Sequence, residues 1–266
     1  MDTSLIEYPS AWLLAIYFVM PRMLAFFSVL PMFNRQAIPG ILRAGVAFSF
    51  SLLIVPTIVD KTMVVTHYAS IMLAVLIKES VIGFVMGFLI ALPLWALDIM
   101  GAYVDNQRGA SIAASINPLT GHDTSPLGEL FSQAGLVFLL MSGGLILILD
   151  ALYTSYMVWP IFQMLPTIDE QMPLVLLSQM DNLMHMAVLL SAPVIFSMFL
   201  AEVGLGIVSR FVPQLQVFFM AMPIKSGIAM FVFSIYTMTL FLYFQENIDG
   251  IGIKSIVIIK SMFRSE

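Results

Sequence analysis

The sequence predicts an all-α integral membrane protein, on three observations. Hydrophobic residues make up 60% of the 266 residues and charged residues only 10%, whereas an ordinary soluble domain carries about 25% charge. Mean hydropathy is +0.99. The apolar residues come in long runs, without the alternating segments of about ten residues that a transmembrane barrel needs. A chain in the bilayer core must satisfy its backbone polar groups internally, and a long apolar run does so as a helix.

A hydrocarbon core about 30 Å thick takes about 20 residues of helix. About six main hydrophobic helical segments are expected on that basis, at 11–33, 41–59, 68–97, 130–149, 186–208 and 216–244. The third is too long for one straight crossing and holds Lys78-Glu79 near its middle, so two shorter pieces are expected there. The stretch 151–165 is apolar but bounded by Pro160 and Pro166, and reads as a re-entrant or interfacial piece. Pro21, Pro31, Pro93, Pro193 and Pro223 lie inside or near the ends of apolar stretches. Each removes a backbone donor and kinks or breaks its helix, which predicts bent helices packed into a larger body.

Two connections are long. Residues 98–129 mix Gly101, Gly109, Pro118, Gly121 and Pro126 with polar residues, and residues 166–182 contain Asp169, Glu170 and Asp181. Structureless loops beyond about 12–15 residues are usually functional or disordered, and function is the expectation for 98–129. Residues 1–266 are read as a single membrane domain with a C-terminal tail at 245–266. The N-terminus lacks Lys and Arg before Trp12, so no signal peptide is expected. Basic residues fall on both sides of the expected crossings, so charge does not decide the orientation.

Arg22, Lys78, Glu79, Asp98, Glu202 and Lys225 lie in or at the edges of apolar stretches. A charge near the bilayer centre costs about 2.5–3.5 kcal/mol on the insertion scale. Three of these residues are basic and three acidic, which favours pairing with one another or with partner subunits over a proton or ion path. Glu79, Gly83, Gly87 and Ala91 recur every fourth residue and form a small-residue face, read as a helix contact. Glu202 and Arg210 are eight apart and share roughly one face of an unbroken helix.

Several chemistries have no representative. There is no Cys, no GxxxxGK[ST] phosphate loop, no HExxH and no GxSxG elbow. His67, His122 and His185 are isolated. The chain is therefore read as a non-enzyme without catalytic residues, cofactor or metal, and the 21 Met residues as adaptable apolar filler. A proton- or ion-coupled secondary transporter, working through Glu79, Asp98 or Glu202, is the rival reading. Broken helices near charges suit it, but the chain shows no internal repeat.

Three segments together carry a resemblance. One is Lys78-Glu79 followed by Gly83 and Gly87. Another is Gly101-x-x-x-Asp105-x-Gln107-Arg108-Gly109, followed by Asn117-Pro118. The last is Arg210-x-x-Pro213-Gln214-Leu215-x-Val217, followed by Pro223-Ile224-Lys225. Their order, with Gly143-Gly144, Pro193 and Glu202 between, resembles the SctT/SpaR/FliR family over residues 12–245. That family is the T-type subunit of the type III secretion export apparatus and of its flagellar counterpart. Lys78-Glu79 and Gly143-Gly144 look more like injectisome than flagellar members.

The resemblance implies a hetero-oligomeric helical export gate in the bacterial inner membrane, with the helices packed into it. It implies SctR-type and SctS-type gate subunits, an SctU-type switch protein, membrane lipid and unfolded secreted proteins as partners, and no nucleic acid. It also implies a plug at residues matching 105–122, with Asp105, Gln107, Arg108, Gly109, Ser111, Ala114, Asn117 and Pro118 as its gating residues. Lys78, Glu79, Gly83, Gly87, Glu202, Arg210, Pro213, Gln214, Pro223 and Lys225 are expected to serve helix packing and assembly.

Overall fold

The computed structural model describes residues 9–33, 38–59, 69–110, 125–163, 167–168, 172–212, 217–249 and 263–264. Seven helices of ten residues or more follow one another among them: α1 (Pro9–Val29), α2 (Gly40–Ser51), α3 (Ala69–Arg108), α4 (Pro126–Met141), α5 (Gly144–Val158), α6 (Met172–Phe211) and α7 (Val217–Asp249). A 3-10 turn at Pro31–Phe33 follows α1. Two short strands, β1 (Thr167–Ile168) and β2 (Phe263–Arg264), pair antiparallel.

Among the described residues, four helices are long and apolar enough to cross a membrane: Ser10–Val29, Met72–Arg108, Pro173–Phe211 and Phe219–Ile248. The pair α4 and α5, interrupted at Ser142–Gly143, raises the number to five if it counts as one broken span. The chain is therefore a helical multi-pass membrane protein.

Several expected boundaries move. The third apolar segment is one helix of 40 residues, not two pieces. Pro21, Pro93, Pro193 and Pro223 all lie inside continuous helices, because local adjustments and neighbouring groups can absorb one missing donor. The marked break is made by Gly143, whose φ of +81° is a left-handed conformation that glycine adopts without steric cost. It divides the expected segment 130–149 and joins its second half to the stretch read as re-entrant. Segment 41–59 holds a 12-residue helix and a turn at 52–54, too short for a spanning helix. Residues 98–108 of the expected loop continue α3, and 172–182 of the second connection belong to α6. Residues 245–249 of the expected tail complete α7.

Two compact units share the chain. The first comprises residues 1–91, 145–177 and 250–266. In it α1 packs on α2 and presses against the N-terminal part of α3. The small-residue face makes that approach possible. A Cβ on Gly83 would collide with the backbone carbonyl of Arg22, and one on Gly87 would come within 2.7 Å of the Phe26 oxygen. Phe18, Met23, Phe26, Phe27 and Met86 are fully buried around this contact.

The second unit comprises residues 92–144 and 178–249. Here α4 packs on α7 through Phe131 against Phe233 (4.6 Å between centroids) and Phe138 against Phe241 (5.1 Å). The C-terminal part of α3 crosses α4 at backbone contact. A Cβ on Gly101 would strike the backbone of Leu127 and Gly128, and one on Gly135 would strike Leu97.

Glycines at these crossings should be far less replaceable than open ones. Gly83→Ala is expected to destabilise by about 1–3 kcal/mol or more, since the obstructing atoms are backbone. Gly204→Ala, where a Cβ meets nothing within 4 Å, should be neutral or slightly stabilising. The temperature at which each variant loses its monodisperse peak in detergent checks both.

Candidate functional site

The bent pair α4 and α5 has two outer ends, the N-terminus of α4 and the C-terminus of α5. A helix terminus leaves four backbone groups without intrahelical partners. Each end is met by charged side chains of the sign that its dipole favours.

The α5 end lies in the first unit. Helix α5 stops at Val158, and Pro160 prevents its continuation. Arg22, on α1 and fully buried, reaches it with two donors and uses a third to bind Glu79 on α3. Its Nε donates to Glu79 Oε2 at 2.6 Å, one terminal nitrogen to Ser155 Oγ at 3.1 Å, and the other to the Trp159 carbonyl at 3.0 Å. The guanidinium also lies 4.0 Å over the Tyr156 ring, a favourable cation–π geometry.

Lys78, on α3, brings its ammonium to the carbonyls of Pro160 (3.2 Å), Ile161 (2.5 Å) and Gln163 (3.1 Å). Glu79 Oε1 is 2.8 Å from the same ammonium, a charge contact without an aligned hydrogen bond. The cluster holds two cations and one carboxylate. The surplus positive charge faces four carbonyls of the chain just beyond a helix C-terminus, where the dipole is negative.

The α4 end lies in the second unit. Ser125 is the N-cap, and its Oγ accepts from the Gly128 amide. Pro126 occupies the first helical position, where its missing N–H costs nothing, and Glu129 adds negative charge in the first turn. Asp105, near the end of α3 and only 3% exposed, completes the cap. Its Oδ2 accepts from Ser125 Oγ at 2.5 Å and from the Leu127 amide at 2.9 Å. Its Oδ1 accepts from Arg108 Nε at 2.7 Å. Gly109, with φ +85°, ends α3 one residue later in a left-handed cap. Asp105 therefore ties the point where the chain leaves α3 to the point where it enters α4.

Of the residues expected to gate, Asp105, Gln107 and Arg108 are helical and not in a loop. Gly109 is at the helix end. Ser111, Ala114, Asn117 and Pro118 lie outside the described residues, as do Pro213 and Gln214. Lys78 and Glu79 join the α5 cap, with Gly83 and Gly87 at the adjoining helix contact. Glu202 pairs with Lys225, Oε2 to Nζ 3.3 Å. Arg210 is exposed near the end of α6, and Pro223 lies within α7. Among the described residues, no group of three or more His, Cys, Asp or Glu could hold a metal ion.

Sequence reasoning passed over Ser125 and Gly128. The signal was present in Ser125-Pro126-x-x-Glu129, a helix start by its cap, its proline and its acidic first turn. The long-loop reading of 98–129 concealed it.

Two substitutions test the caps. Glu79→Ala leaves Arg22 and Lys78 buried without a counter-ion and should destabilise by about 3–5 kcal/mol; denaturant titration of the detergent-solubilised chain measures this. Asp105→Ala removes a charged acceptor and should cost about 1.5–3 kcal/mol. Amide exchange in a peptide containing Leu127 should accelerate in that variant, while exchange around Arg22 stays as it was.

A family model described as bacterial export proteins, family 1, matches residues 13–251. Over 239 residues the chain is 37% identical to Yop proteins translocation protein T of Yersinia pestis, covering 90% of each protein. It is 33% identical to surface presentation of antigens protein SpaR of Shigella flexneri, over 90% of this chain and 91% of that one. It is also 31% identical to flagellar biosynthetic protein FliR of Bacillus subtilis, over 95% of both. With a helical multi-pass architecture and a match across nearly its whole length, the chain belongs to family 1 of the bacterial export proteins.

Proposed function

We propose that this chain is a subunit of a type III secretion export gate in the bacterial inner membrane, where it forms part of the conduit for unfolded proteins. It works with SctR-type and SctS-type subunits and an SctU-type switch protein, and performs no catalysis. The injectisome form is the one favoured. Lys78-Glu79 and Gly143-Gly144, which suggested it, have structural work in the α5 cap and at the helix break.

The observation that carries the gating part of this reading is the Asp105 clamp. A plug must block ions at rest and move for a passing polypeptide. The segment between Gly109 and Ser125 is held at its base by the hydrogen bonds of one buried carboxylate, beside the Gly101–Gly128 backbone contact. Such a base keeps the ends of α3 and α4 together, which a plug carried between them requires. The rival transporter reading is weakened by the same geometry. Glu79 and Glu202, two of its three candidate coupling carboxylates, are engaged with cations.

Replacing residues 110–118 with a short flexible linker should make membranes that contain the assembled complex leak ions. The complex itself should be recovered in normal yield. Unchanged conductance in a correctly assembled complex would remove the plug assignment, and a chain that purifies alone and monodisperse from its native operon would remove the gate.

A further inference from the structure

We propose that the cavity between the turn that follows α2 and the end of α5 is a binding site for one acyl chain of an anionic phospholipid. The cavity is complete within the first unit, so the site needs no partner subunit and goes beyond the gate reading.

The cavity holds about 630 Å³, a size suited to a single elongated small ligand. A partner helix, about 10–12 Å across with its side chains, would fit little more than one turn into it. Ile54, Ile58, Met157 and Phe162 supply apolar wall. Thr57, Tyr153 and Tyr156 also line it, but their hydroxyls already donate within the chain. They reach the carbonyls of Ile54 (2.7 Å), Phe50 (3.3 Å) and Val19 (3.1 Å) respectively. The carbonyls of Pro160 and Ile161, two further lining residues, accept from Lys78. A water held here would want two to four polar partners, and the polar groups of this wall are engaged elsewhere. The site therefore selects an apolar ligand.

Leu53 and Met157 are 66% and 80% exposed, so the cavity opens beside them. Arg22 and Lys78, which back its wall, stand in two of the helices able to span a membrane, and this sets the cavity at membrane depth. Lipid is what an open apolar cavity meets there, and a cavity left unfilled forfeits the dispersion contacts of its lining.

The charge behind the wall chooses the headgroup. The Arg22 guanidinium is 4.0 Å from the Tyr156 ring centroid, and the Lys78 ammonium is 3.2 and 2.5 Å from the Pro160 and Ile161 oxygens. Against these two cations the cluster holds one carboxylate, Glu79, among the described residues. In surroundings of low dielectric the remaining positive charge favours an anionic headgroup over a neutral one.

The test uses the complete complex in phosphatidylcholine vesicles with a small fraction of phosphatidylglycerol that carries a diazirine on one acyl chain. After irradiation the adducts are mapped by mass spectrometry. Labelling of residues 53–58 and 153–162 should saturate as the probe fraction rises, whereas labelling of other lipid-facing segments should rise in proportion. A phosphatidylcholine probe should label the cavity about fivefold less, the worth of one nearby cation. Met157→Trp, which narrows the mouth from an exposed position, should lower cavity labelling about tenfold, and Met157→Ala should leave it unchanged.

Labelling that never saturates overturns the proposal, since the cavity then meets bulk lipid only. So does equal labelling by the two headgroups, or indifference to Met157→Trp. An unlabelled cavity in an intact complex overturns it as well, because protein then fills the space. A chain that recovers no other subunit but labels saturably defeats the gate reading and leaves this site standing.

Discussion

A helix end leaves backbone N–H or carbonyl groups without intrahelical partners, and the buried charges Arg22, Glu79 and Asp105 gather at two such ends, one on each of the helices that flank the bend at Gly143. Each of these helices carries its own dipole, and it is their outer termini, away from Gly143, that the charges meet. Asp105 and Ser125 serve the N-terminus of α4, and Arg22 and Lys78 the C-terminus of α5. In both places the sign of the side chain opposes the sign of the terminus. Helix α3 contributes to both caps, with Lys78-Glu79 in its N-terminal part and Asp105 near its C-terminal end.

The charges that looked anomalous in the hydropathy pattern acquire a common explanation on this basis. Arg22 would be intolerable alone at 0% exposure, yet every one of its nitrogens has an acceptor. Its charge is balanced by Glu79, and the further charge of Lys78 by carbonyl dipoles. A buried pair contributes little to stability over a well-packed apolar substitute, but breaking one is costly. Such a cluster fixes which helices meet, and where, more than it strengthens the fold. Two glycine crossings set beside the caps, Gly83 on Arg22 and Gly101 on Gly128, let the backbones come close enough for those side chains to reach.

The hydrogen bonds around Asp105 are short and mutually supporting, so they hold the end of α3 to the start of α4. The expectation that Asp105, Gln107 and Arg108 belong to the loop was wrong about their conformation. The side chain of Asp105 acts instead on the start of α4, through Ser125 and Leu127.

Composition alone established that this is a helical membrane chain. The local order of Lys78-Glu79, Asp105-x-Gln107-Arg108-Gly109 and Arg210-x-x-Pro213-Gln214 was enough to indicate its family. Both follow from properties that neighbouring residues carry by themselves, namely hydropathy summed along a helix and motifs a few positions long. The expected breaks at proline, the division of 68–97 and the extent of the 98–129 loop were misread for the same reason. A helix continues through proline, or stops at glycine, according to what lies beside it in space. Only the tertiary structure decided that Arg22 would meet Glu79, 57 positions away, and Ser155, 133 away, and that Asp105 would cap a helix beginning at Pro126. Those pairings depend on which freed backbone group most needs a charge, and that is defined once the helices have packed.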